Sequence, residues 1–139
     1  MLKWVRVAGW EFVLAKEKRM SQPTIGRVIS ASKLTGGTVK NTDGEKLGDI
    51  KEIMIDTETG RVAYAVLSFG GFLGMGDKLF AIPWSALRSH VSEPESFVLS
   101  ANKERLEAAP GFNKDSWPDF ADRKWGSTIY DYYQIKPYW

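Results

Sequence analysis

Residues 36–69, "GGTVKNTDGEKLGDIKEIMIDTETGRVAYAVLSF", carry the pattern that decides the fold. Asp43-Gly44 is a strong turn dipeptide between two strand-like segments, so the first half of the stretch reads as a β-hairpin. After the turn, Leu47, Ile50, Ile53 and Ile55 alternate imperfectly. The three-residue step from Ile50 to Ile53 would switch the face on which the apolar side chains point. A bulge near Lys51 and Glu52 absorbs that switch, and bulged, sharply bent strands are what a small closed barrel requires. "DTETG" at 56–60 is a second turn. "RVAYAVLSF" at 61–69 is nearly all apolar and rich in valine and aromatics, the composition of a central, deeply buried strand.

Outward from this stretch the short-strand rhythm continues. "KLFAIPW" at 78–84 returns along the sheet, with Pro83 confined to a strand end or an edge because it has no N–H to give the ladder. "WSALRSHV" leads toward a further short strand, "SEPES" at 92–96 turns, and Phe97, Val98 and Leu99 follow as strand. "NKERLEAAPG" reads as one short helix, capped by Ser100 or Asn102 and stopped by Pro110-Gly111. The expected fold is mainly β: a small bulged antiparallel β-barrel over residues 24–109 with one short C-terminal helix. A basic, aromatic segment at 1–23 precedes it, and an aromatic-rich tail at 110–139 follows.

These residues carry a resemblance. Gly37, Val39, Asp43-Gly44-Glu45-Lys46, Leu47-Gly48, Ile50, Ile53, Ile55-Asp56, Thr59-Gly60-Arg61-Val62, Tyr64-Ala65-Val66, a glycine loop and "IPWSAL" are together similar to the PRC-barrel family over about residues 33–100. The tail resembles those of small stand-alone bacterial members. The family takes its name from the cytoplasmic part of the photosynthetic reaction-centre H subunit, and a similar barrel forms half of the bacterial ribosome maturation factor. The resemblance implies a barrel that docks onto other macromolecules rather than one that catalyses. No run in this sequence reads as the H subunit's membrane helix or as the ribosome factor's preceding domain, so neither job is expected to transfer directly.

Composition narrows the classes further. The chain has 139 residues, 43% of them hydrophobic, which is about one domain's worth of core. Cysteine is absent, which removes disulfides, thiolate metal sites and cysteine nucleophiles and fits a cytoplasmic setting. The net charge is +2, but residues 1–20 alone carry Lys3, Arg6, Lys16, Lys18 and Arg19 against Glu11 and Glu17. The remainder is therefore slightly acidic, which argues against nucleic acid as a partner. In the N-terminal segment Lys3, Arg6 and Glu11 interrupt every apolar run, so it does not read as a secretory signal. Trp4, Trp10 and Phe12 among its bases suit contact with a membrane surface, while "SQPTIG" after Met20 reads as an alternative natural start. The longest uncharged run, Val62 to Gly76, is too short and glycine-rich to span a bilayer.

The sequence offers little chemistry. "FGGFLGMGDKLF" at 69–80 holds four glycines and resembles a phosphate cradle, with Gly71 and Gly76 at P-loop separation and Gly74 and Lys78 nearby. Asp77 intrudes before Lys78, however, Leu79 replaces the hydroxyl residue, and a strand follows where a helix should begin. The loop reads better as a bend that displays Phe72, Leu73 and Met75, either plugging the barrel or contacting a protein. A small ligand or anion held by Gly71, Gly74, Gly76 and Lys78 near Trp84 is the rival reading. His90 is the only histidine, and Ser89 and Ser92 beside it do not make a triad. Asn41, Asp43 and Glu52 fall short of a calcium loop, and Asp43, Glu45, Asp49, Asp56 and Glu58 are turn carboxylates. No motif supports an enzyme, a metal or a cofactor.

The tail contains nine of the chain's 18 aromatic residues. Four acids balance four bases there, so stacking on nucleic acid gains no electrostatic help. A segment this aromatic is expected to be ordered, either over its own barrel edge or on a second subunit. Trp117, Trp125, Tyr132, Tyr133 and Trp139 are accordingly candidate contact residues. The expectation is a non-enzymatic, homodimeric protein that works through protein contacts. A peripheral membrane or reaction-centre-associated module is the remaining alternative.

Overall fold

A computed structural model describes residues 28–69, 78–89 and 95–139. Six strands form one sheet: β1 (Thr38–Lys40), β2 (Lys46–Asp56), β3 (Arg61–Phe69), β4 (Lys78–Pro83), β5 (Leu87–Ser89) and β6 (Ser96–Leu99). Their spatial order is β4-β3-β2-β1-β6-β5, and the sheet curls into a half-barrel. A short helix α1 (Ala31–Leu34) precedes it, and a 3-10 turn at Trp84–Ala86 joins β4 to β5. The helix expected after β6 is α2 (Lys103–Glu107), with Asn102 as its cap: the Asn102 Oδ1 accepts from Arg105 N at 2.8 Å. The glycine loop lies outside the described residues, as do 90–94, which hold most of the turn expected at 92–96.

The first hairpin forms where the turn dipeptide places it, but Asn41 holds it together. Buried to 5% exposure, Asn41 accepts at Oδ1 from the N–H groups of Asp43 and Glu45, at 3.0 and 2.9 Å. Its Nδ2 donates to Glu45 Oε1, and Gly44 supplies the positive φ of +86° that closes the turn. The expected bulge is present as well. Ile50 pairs with Leu67 and Glu52 with Val66, leaving Lys51 as the extra residue. Ile50 and Ile53 can therefore both face the core. A second register shift between Met54 and Ile55 was not anticipated, and there Ile55 emerges into solvent at 52% exposure.

One pairing departs from an all-antiparallel barrel. β1 and β6 run parallel, Val39 opposite Phe97, because β6 returns to the free edge of β1 after forming a hairpin with β5. Pro83 closes β4 at one margin of the sheet, as its missing N–H requires.

The tail holds a helix that its sequence did not announce, α3 (Arg123–Tyr132). Asp122 caps it, accepting at Oδ1 from Lys124 N at 2.9 Å. It ends with Gln134 in the left-handed region, φ 58°, where Ile135 N bonds to Tyr130 O and Gln134 N to Asp131 O. This paired arrangement satisfies the last carbonyls of the helix. The tail meets the sheet edge at Leu79 and Phe112, which exchange backbone hydrogen bonds of 2.9 and 2.8 Å.

The tail also explains why β3 reads as continuously apolar. Ala65 and Leu67 face the half-barrel interior with Phe80 and Ile82, while Ala63 and Tyr64 face outward onto Ile129 and Tyr130 of α3. Five consecutive residues, Ala63–Leu67, are buried because both faces of the strand are covered.

Candidate functional site

The seam between the tail and the turn joining β2 to β3 forms a groove of about 360 Å³. Its construction begins at Asp56. One carboxylate oxygen of Asp56 accepts from the backbone N–H groups of Glu58 and Thr59, at 2.9 and 3.3 Å, which shapes the turn. The other accepts from the Tyr138 hydroxyl at 2.5 Å, which ties down the end of the chain. The donated Tyr138 hydroxyl, with the turn N–H of Glu58 second, holds the Asp56 carboxyl below its ordinary pKa. Burial, then donation to Asp56, pushes the Tyr138 phenol up to about 12.

Aromatic packing fixes the tail wall of the groove. The Tyr64 ring meets Phe120, Trp125 and Tyr130, each with ring centroids 5.5 Å away. Tyr130 donates to the Ala63 carbonyl at 2.9 Å, a buried bond across 67 residues of chain. Trp139 stands edge-on to Tyr130 and Tyr138, and the Arg123 guanidinium lies 5.5 Å above its ring. Arg61 sits 5.6 Å over Tyr138 in the same manner. At Gly126 the helix comes so close that an added Cβ would lie 2.6 Å from Tyr64 Oη and 3.0 Å from Trp139 Cη2. The finished groove is lined by Ile55, Glu58, Phe120, Asp122, Arg123 and Trp139, among others. It brings apolar side chains and carboxylates together in one lining.

The candidate contact residues of the tail separate into two groups. Trp125 is half-buried in the Tyr64 cluster. Tyr132 is locked to Arg105: its hydroxyl donates to the Arg105 carbonyl, Arg105 Nη2 donates to the Tyr132 carbonyl, and the guanidinium lies 4.6 Å over the ring. Tyr133 packs between the interior and the tail cluster, and its hydroxyl has no hydrogen-bond partner among the described residues. Burial raises the Tyr133 phenol well above the ordinary range. Those three make these contacts within their own chain and are partly buried. Trp117 and Trp139 keep surface, at 41% and 37% exposure, with Trp117 resting on Phe112 and Phe120.

The candidate loop residues Gly71, Phe72, Leu73, Gly74, Met75 and Gly76 lie outside the described residues, and so does His90. Lys78 opens β4 with its Nζ 5.4 Å over the Phe80 ring. Trp84, the suggested aromatic neighbour of a ligand, packs against Phe97 with centroids 5.6 Å apart. The turn carboxylates are engaged locally: Glu45 with Asn41 and with Lys103 Nζ at 3.4 Å, Asp49 with Lys46 Nζ at 3.3 Å. Among the described residues, no three histidines, cysteines or carboxylates are placed to hold a metal ion, and no helix is long and apolar enough to cross a membrane.

Asp122 and Arg123 escaped the sequence reading, and Ile55 and Asp56 entered it only as strand, turn and family-pattern residues. The groove depends on the contact of Asp56 with Tyr138, 82 positions away. A local pattern carries no signal of that kind.

A family model for the PRC-barrel domain matches residues 26–106, more than half of the chain. No curated protein matches it. The match takes in all six strands and most of α2, and it stops short of the tail that builds one wall of the groove. By that match, with the bulged, curled sheet it covers, the chain belongs to the PRC-barrel domain family.

Proposed function

We propose that this chain works without catalysis, as a protein-contact module that pairs with a second copy of itself in the cytoplasm. The observation that carries this reading is the placement of exposed apolar surface. Ile55 and Trp139, at 52% and 37% exposure, line the same groove. Isolated apolar side chains on a surface need no explanation, but two that share a concavity with charged side chains have the make-up of a contact site. Tryptophan is well suited to anchor such a contact, since it offers a large rigid area at low entropic cost.

Light scattering over a wide concentration range tests the reading. The native chain should approach the mass of a dimer as concentration rises. Ile55→Asp, which places a charge on an already exposed strand position, should remain monomeric with unchanged far-ultraviolet circular dichroism. A native chain that stays monomeric throughout would overturn the proposal.

A further inference from the structure

The groove has a chemical character that selects among occupants. Its lining carries Asp56, Glu58 and Asp122 against Arg123, and Arg123 is already drawn over the Trp139 ring. Asp56 is spent on its turn and on Tyr138, and Asp122 gives Oδ1 to the cap of α3, which leaves the exposed Glu58 carboxylate and the second oxygen of the exposed Asp122. Ile55, Phe120 and Trp139 add apolar surface to the same lining. The complement of such a surface is a segment that alternates bases with large apolar side chains.

This chain contains one. Residues 1–20, "MLKWVRVAGWEFVLAKEKRM", hold five bases against two acids, together with Trp4, Trp10 and Phe12. The described part of the chain has as many bases as acids, so the basic excess lies in that N-terminal segment. We infer that residues 1–20 occupy the groove, with their tryptophans and valines on Ile55 and Trp139 and Lys16, Lys18 or Arg19 paired with Glu58 and Asp122. The inference rests on the protein-contact reading above and names what enters the contact.

Reach permits it. Gly36, just after α1, is bonded through its N–H to Ile50 O at 2.7 Å. From Ile50 to Asp56 is six residues of β2, about 20 Å of strand. Residues 21–27, the seven between the segment and the placed Val28, can span up to about 25 Å.

Carbodiimide cross-linking of the full chain, which joins a lysine to a carboxylate only in direct contact, tests the inference and carries its own controls. Lys103–Glu45 and Lys46–Asp49, at 3.4 and 3.3 Å, should link under any condition in which the fold is intact. Lys3, Lys16 or Lys18 should link to Glu58 or Asp122. Raising the salt to 1 M, where the screening length falls to about 3 Å, should reduce those links. If the two control pairs link and no N-terminal lysine reaches Glu58 or Asp122, the inference is overturned.

Hydrogen exchange gives a second readout that does not depend on cross-linking chemistry. In the K16E/K18E/R19E chain, amides at 54–58 and 120–123 should exchange about tenfold faster than in the native chain. Equal rates would overturn the inference. Protection that is lost on dilution yet indifferent to those substitutions would assign the groove to the folded part of a second copy, and would overturn it as well. Mixing isotopically heavy and light chains separates the inference from the reading beneath it. Links between copies support both; links within one copy support the segment and count against the dimer. Dimers without any such link leave the dimer standing and remove the segment.

Discussion

Replacing Gly126 by alanine should destabilise the protein even though it removes a glycine from the middle of a helix. On propensity alone the change is favourable by about 0.5–1 kcal/mol. The new methyl, however, would sit 2.6 Å from Tyr64 Oη and 3.0 Å from Trp139 Cη2, where ordinary contact begins near 3.4 Å. Tyr64 cannot simply swing aside. It is 2% exposed and ringed by Phe120, Trp125 and Tyr130. The helix or the ring must therefore move by nearly 1 Å, and overpacking of this kind costs about 1–3 kcal/mol. The net expectation is a loss of about 1–2 kcal/mol, or some 3–6 °C in Tm for a domain of this size. Urea denaturation followed by tryptophan fluorescence measures it, with an unchanged m-value showing that the unfolded reference is the same. The decisive arm is Tyr64→Phe, which removes the nearest atom. In that background Gly126→Ala should cost about 1 kcal/mol less, because the two changes share one contact. A Gly126→Ala chain that is more stable than the native one, or a penalty identical in both backgrounds, would refute the docking of α3 against β3.

Two further predictions concern the hydrogen bonds that shape the turns. Asp56, held low by Tyr138, contributes stability that is present above the ordinary carboxyl pKa of about 3.9 and lost as pH falls through its lower folded value. Tyr138, pushed up to about 12, contributes stability that is full below the ordinary phenol pKa of about 10 and fades as pH rises through its folded value. Tyr138→Phe should therefore return the Asp56 carboxyl toward its ordinary pKa in an NMR titration, and an unchanged titration would show that the bond does not form in solution. Asn41→Ala should cost about 1–2 kcal/mol in thermal or urea unfolding, because two backbone donors of the turn lose their acceptor in one step. A loss of only a few tenths would mean that Asp43-Gly44 closes the hairpin unaided.

Much of the sheet was legible because its signals are local. The Asp43-Gly44 turn, the bulge at Lys51 and the placement of Pro83 each follow from residues within a few positions of one another. The groove was not legible for the opposite reason. Asp56 looks like any turn carboxylate until Tyr138 is brought to it, and Ile55 looks like one more inward-facing residue although it ends 52% exposed beside the second register shift. The parallel pairing of β1 with β6 is hidden in the same way, since three-residue strands carry too little pattern to state their direction.

Helix α3 marks the boundary between the two kinds of information. Its middle, "GSTIY", contains glycine and three β-branched or small polar residues, a poor helix by intrinsic preference. What makes it a helix is the row Trp125, Ile129, Tyr130 and Tyr133, which closes on Tyr64 and Ala63 only after β3 exists. The clue to it lay in the strand rather than in the tail. "VAYAV" at 62–66 has no polar residue to turn toward water, and a strand that is apolar on both faces needs a second cover as well as a barrel interior. One short α2 cannot cover both sides of a sheet. The aromatic residues after Pro110 are the remaining apolar surface in the described chain large enough to do it, so the apolar run in β3 and the aromatic tail are two halves of one requirement.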